Sequence, residues 1–293
     1  TRKVERYKYT DMAKLFQPNY GLNLNRLDIP VNPYDAFKCD VPNLSTSLYF
    51  VVNDSFYLKA LPQAHLPEGV IVDSLSRVAA KKPDFIARYY SKIASTDEDA
   101  ITALNTMLVQ DGLLVYVPKN VKVDRAIQVI NILRSDVDLM VNRRVLILLE
   151  EGAEAKFLFC DHSADDRNFL STQVIEAYVG ENANLELNCL EETHLKNTRV
   201  SNVYIQQQAN SSVNHNVITL HNGVTRNRLD LVFEGEGAEC HCNGCVIADK
   251  NQHVDNNTFI DHKVGHCTSN ELYKYVLDDE ATGAFAGRVL VRH

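Results

Sequence analysis

Several signatures are missing from this chain, and each absence argues against a class of function. No cluster of Lys and Arg forms a stripe that could track phosphates, and the net charge is −8 with a pI near 5.7. Nucleic acid is therefore not expected as a principal ligand. The longest aliphatic runs, such as Val145 to Leu149, fall far short of the roughly 20 residues that cross a bilayer, so no membrane span is expected. There is no G-x-x-x-x-G-K-[ST] loop and no G-x-S-x-G elbow, which removes ATP hydrolysis by this polypeptide alone and the α/β-hydrolase mechanism. Gly235-Glu-Gly237 lies among Glu234, Glu236 and Glu239, which repel phosphate, and reads as a turn. The first ten residues are too charged for a signal peptide and do not begin with Met, so they read as the interior of a longer gene product. The seven cysteines are odd in number and scattered through 293 residues, unlike a disulfide framework, and a reducing cytoplasm is the expected setting.

What is present is a repeat. Phrases opening at Gly152, Asn182, Asn210 and Gly237 each run from a small or polar pair into alternating residues. Self-similarity at a spacing near 30 residues marks a solenoid, in which each coil buries its apolar face only by stacking on its neighbours. Down the four copies the fourth position reads Ala155, Leu185, Val213, Cys240 and the sixth reads Phe157, Leu187, His215, Cys242. The fifth, between them, is Lys156, Glu186, Asn214, His241. Period-two alternation means strands with one buried face, and Leu229, Leu231 and Phe233 continue it between phrases. Each repeat thus holds about two strands and no helix, which favours a β-helix whose core includes Ala155, Leu185, Val213, Cys240, Phe157, Leu187 and Cys242.

Residues 1–112 read as a mixed N-terminal region and 113–293 as the solenoid. Asn53-Asp54 between two apolar runs predicts a hairpin. Three helices are predicted, over about 74–81, 84–94 and 97–109, from capping residues and from Ile86, Tyr89, Tyr90 and Ile93 at the spacing of one buried face. They are expected to cap the open end of the coil stack.

Two sets of residues invite a functional reading. Cys242-x2-Cys245 followed by His262-x3-His266 resembles the halves of a zinc finger, yet Cys242 occupies a core column. His253, Asp255, His262, His266 and Cys267 form the densest group of titratable side chains, able to relay protons or ligate metal. On a strand, His253, Asp255 and Asp261 share one face and His262 takes the other, so polar surface ladders with a turn at Gly265 stand as the competing reading.

The stretch from His253 to Lys274, with Val276-Leu-Asp-Asp and Gly283 to Val291 after it, resembles the SufB/SufD family. Leu66 to Val72, Ala103-Leu-Asn105, Gln110 to Lys119 and Ala126 to Asn131 are similar to its earlier landmarks, and His266-Cys-Thr-Ser favours the SufD branch. The resemblance implies an all-β dominated, right-handed parallel β-helix and a non-enzymatic subunit of the cytoplasmic SufBCD complex for iron-sulfur cluster assembly. It implies SufB and the SufC ATPase as partners, support of iron acquisition, and no cofactor held stably by this chain alone; iron or a cluster belongs to the full complex. A homodimer in isolation stays open. Family members continue with further coils, a Cys-x-His element and a helical segment that docks SufC, so the solenoid is expected to be truncated at its C-terminal end. Two other classes remain as alternatives: a β-helix carbohydrate-active enzyme using Asp255 and Asp261, and a zinc-stabilised interaction module.

Overall fold

A computed structural model describes residues 5–24, 30–33, 46–59 and 66–292. The repeat folds as a β-solenoid of about 6 turns, and each coil contributes one strand to each of two parallel sheets. Sheet one is built from β4 (Ile71–Ser74), β5 (Leu113–Val117), β7 (Leu139–Leu149), β9 (Phe169–Val179), β11 (Asn197–Gln207), β13 (Val224–Phe233), β15 (His253–His262) and β17 (Thr282–Val291), with the short β1 (Gly21–Leu22) beside β7. Sheet two is built from β3 (Ser55–Phe56), β2 (Ser47–Val52), β6 (Ile127–Leu133), β8 (Glu154–Ser163), β10 (Asn184–Glu192), β12 (Ser212–His221), β14 (Glu239–Ala248) and β16 (Thr268–Leu277). Pairing is parallel throughout except for β2 with β3 and β4 with β5.

The register is the one the repeat demands. Leu185 pairs with Ala155 and Val213, and Val213 with Cys240; Leu187 pairs with Phe157 and His215, and His215 with Cys242. All of these side chains are buried, and the apolar ones join the main core with Val145, Ile147 and Leu149 of the facing sheet. Burying a Leu or Phe there stabilises by about 1.5–3 kcal/mol each. The residues that open the phrases have a geometric reason: Gly152, Asn182, Asn210 and Gly237 all take positive φ, at 66, 55, 54 and 74°. That left-handed region favours Gly and Asn, and it swings the chain from one sheet into the next coil. At Gly152 a Cβ would also lie 2.4 Å from the Asn120 Oδ1 of the coil before.

Four helices occur among the described residues: α1 (Met12–Leu15), α2 (Leu75–Lys81), α3 (Pro83–Ala87) and α4 (Ala100–Leu108). The Ser74 hydroxyl caps α2, and Asp99 caps α4 by accepting from Ile101 and Thr102 amides at 3.0 Å. The helix expected over 84–94 stops at Ala87. Beyond it, the Glu176 carboxylate accepts the backbone N–H groups of Ser91, Ile93 and Ala94, so a side chain of sheet one takes the place of the next helical carbonyls. The helices also sit differently from the expected cap over an end. Leu75, Val78 and Ile86 pack on Leu114, Leu146 and Leu148, so they cover the outer flank of sheet one. The predicted hairpin is β2–β3, turning at Asn53 with φ 54°.

Candidate functional site

Only part of the solenoid interior is apolar. Arg143, Arg199 and Asn227 occupy inward positions of sheet one, and Asp161, Glu191 and His215 do so in sheet two; all six are buried. They form a line along the solenoid axis. Arg143 donates from Nε to the Asn53 carbonyl at 2.8 Å and from Nη1 to Asp161 at 2.8 Å. The other Asp161 oxygen lies 2.7 Å from Arg199 Nε, and Arg199 Nη1 donates to Asn227 at 2.6 Å. Asn227 donates to Asn256 at 3.0 Å, and Asn256 to the Tyr275 hydroxyl at 2.6 Å. One carboxylate therefore bridges two guanidiniums inside the coil stack, where an unpaired charge would cost several kcal/mol.

The electrostatics follow from burial. Desolvation raises the Glu191 carboxyl to about 7, although Arg199 beside it and the Thr225 hydroxyl, 2.5 Å from Oε1, favour the charged form. Burial raises the Cys189 thiol to about 12 and lowers the His215 imidazole to about 4. Asp161 sits below the usual carboxylate range: burial opposes its charge, and Arg199 with Arg143 overcomes that opposition. Both ring nitrogens of His215 lack a hydrogen-bond partner among the described residues. His215 lines a small internal cavity with Cys189, Arg199, Ser201, Asn227 and Tyr273, with room for a single water molecule. The cavity is thus lined by a neutral thiol and a neutral imidazole, and the Glu191 carboxyl, two residues along β10 from Cys189, exchanges its proton near neutrality.

The residues singled out in the sequence are dispersed. His253 and Asp255 lie on the outer face of β15 and meet through Thr10, whose hydroxyl donates to Asp255 at 2.6 Å and lies 3.2 Å from His253 Nε2. His262 points inward, its ring 4.7 Å from that of Phe233 and its Nε2 2.9 Å from Ser269 Oγ. His266 stands in an exposed turn with φ 58°, and the half-buried Cys267 thiol donates to the Gly235 carbonyl at 3.4 Å. Among the described residues no group of three His, Cys, Asp or Glu is placed to hold a metal ion. The two halves of the zinc-like motif diverge as well, with Cys242 inside and Cys245 exposed outside. Asp261 is buried and gripped by Arg292 at 2.9 and 2.6 Å, and Asp255 is buried beneath Thr10, so each of these two carboxylates is already engaged by a partner. The competing surface-ladder reading has a counterpart on sheet two, where Asn243 donates to Asn216 and Asn216 to Asn188 at 2.9 and 2.8 Å.

The axial charges carried a signal in the sequence. Asp161 continues Ala155, Phe157, Phe159 at the same phase, and Glu191 continues Leu185, Leu187, Cys189. The two acids are paired in register across neighbouring coils, so a charged column extends two apolar ones.

Two family models match the chain: the SufBD protein N-terminal region over residues 1–129, and the SUF system FeS cluster assembly SufBD core domain over 131–293. An iron-sulfur cluster assembly SufBD family protein of Synechocystis is 22% identical over 306 residues, covering 99% of this chain and 65% of that protein. The Bacillus subtilis iron-sulfur cluster assembly protein SufD is 23% identical over 303 residues, covering 99% of this chain and 66% of its own length. A chloroplastic SufBD family protein of Arabidopsis thaliana is 24% identical over 305 residues, covering 97% and 54%. The chain thus spans about half to two thirds of the length of these relatives.

Proposed function

The chain belongs to the SufBD family of iron-sulfur cluster assembly proteins, and on that premise we propose that it acts as the SufD-like subunit of a cytoplasmic assembly complex. In this reading it pairs with SufB, works with the SufC ATPase, and supports iron acquisition and cluster assembly by binding, without an enzymatic activity of its own. Iron or the nascent cluster is cargo of the complex. The observation that carries the reading is the coincidence of the core-domain match, 131–293, with the coils that enclose the axial charged line. A rigid rod with a fixed polar interior suits a partner that transmits force from a neighbouring ATPase, because stacked coils deform little. Among the described residues no helix is long and apolar enough to cross a membrane, which is compatible with such a setting.

Co-expression of the tagged full-length gene product with SufB and SufC tests this. Retention of both partners, no ATP turnover by the isolated protein, and iron-sulfur absorbance in the complex are expected. Loss of both partners, or ATP turnover by the isolated chain, would overturn the proposal.

A further inference from the structure

The N-terminal segment crosses the outer face of sheet one as a strap, and its contacts are almost all distant in sequence. The Tyr7 hydroxyl donates to Asp99, and the Arg226 guanidinium lies 4.6 Å over the Tyr7 ring while donating to the Arg6 carbonyl at 2.5 Å. Three residues on, Thr10 is held by Asp255 and His253. Two further on, Met12 packs against Ile101 and Val200. Tyr7, Thr10 and Met12 are buried, whereas Lys8 and Tyr9 between them are exposed. The strap is therefore read at three points, as Tyr-x-x-Thr-x-Met, in the way a groove reads a bound peptide.

The seat is built independently of its occupant. Asp99 also accepts from the Ile101 and Thr102 amides, from Asn202 and from Arg228 at 2.9 Å, and Asp255 accepts from Asn257 at 2.7 Å. Removing Tyr7 and Thr10 leaves both carboxylates partnered, so the seat is preorganised. Arg226, fully buried, keeps Nε and Nη1 without a hydrogen-bond partner in the described residues. Beyond α1 the strap reaches β1 through Gln17, Pro18 and Asn19, which are exposed, an arrangement suited to a hinge.

We infer that this seat is a peptide-recognition site for Tyr-x-x-Thr-x-Met, held in cis by the strap and able to take the strap of a second copy of this chain. The reading goes beyond the assembly role and does not depend on it. A fluorescent synthetic peptide of residues 5–16 is the probe, with the full chain carrying Tyr7→Ala as host, since that change loosens the resident strap and leaves the seat intact. Anisotropy is expected to show saturable binding to this host. Adding Arg226→Gln, or using a peptide with Thr10→Val, weakens it about tenfold, and the wild-type chain binds at least about tenfold less because its own strap competes at an effective concentration in the millimolar range. Should Tyr7→Ala unfold, the Thr10→Val chain replaces it as host. No uptake by a folded host at about 1 mM peptide, or equal binding with and without the Arg226 change, overturns the inference.

Discussion

The two halves of the solenoid interior are built on opposite physical terms. Around Leu185 and Val213 the coils meet through aliphatic side chains with no polar atoms to satisfy, so any similar volume serves. Around Asp161 they meet through two buried guanidiniums and one carboxylate, where each partner needs the other. The apolar half supplies the free energy of stacking; the charged half supplies little net stability but penalises every arrangement in which a coil slips register.

This contrast can be broken first at Asp161. Asp161→Ala strands Arg143 and Arg199 inside the stack and should cost about 3–5 kcal/mol, read as a fall in the urea midpoint; a loss below about 1 kcal/mol would mean that the guanidiniums find other partners. Leu185→Ala, in the apolar half, should cost about 2–5 kcal/mol through lost burial and a residual cavity, with no dependence on pH between 5 and 8 because its register partners, Ala155 and Val213, carry no titratable group. Glu191 sharpens the comparison. Its folded pKa, about 7, lies above the unfolded value of 4.5, so its stabilising contribution is complete below pH 4.5 and is lost as pH rises through 7, on the order of 3 kcal/mol in all. Glu191→Gln should flatten that slope in thermal melts and make the variant the more stable protein at pH 8; an unchanged slope would assign the titration elsewhere. The smallest effect is expected at a turn. Asn182→Ala places a non-Gly side chain at φ 55° and should cost about 1 kcal/mol, with Asn182→Gly close to neutral.

The outer faces of the sheets repeat the lesson in another form. Sheet one buries Leu114, Leu146 and Leu148 under α2 and α3, whereas Ile218, Ile247 and Val276 on sheet two remain 39, 49 and 63% exposed. Leu146 lies in a continuous apolar run, Val145 to Leu149, as a strand covered on both faces requires, but only the path of the N-terminal region shows what covers it.

The solenoid, its register and its turn residues were legible because each is a local property repeated at nearly constant spacing: period two for the strands, a left-handed residue at each turn, and like above like in each column. The helix over 84–94 was misjudged because Glu176, far along the chain, captures the amides that would have extended it. The cluster at His253 to Cys267 looked like one site because its members are close in sequence, yet strand alternation and a turn send them to the outer face, the interior and the solvent. The axial line of Arg143, Asp161 and Arg199 escaped notice for the opposite reason.

By itself, then, the amino-acid order determined that this protein winds into stacked coils, because burial of an alternating pattern needs no knowledge of distant partners. Only the tertiary structure decided which charges neutralise each other within the coils and where the N-terminal strap lies. Coulombic and hydrogen-bond pairing acts between atoms a few ångströms apart, and residues as distant along the chain as Thr10 and Asp255 become neighbours only after the coils have closed.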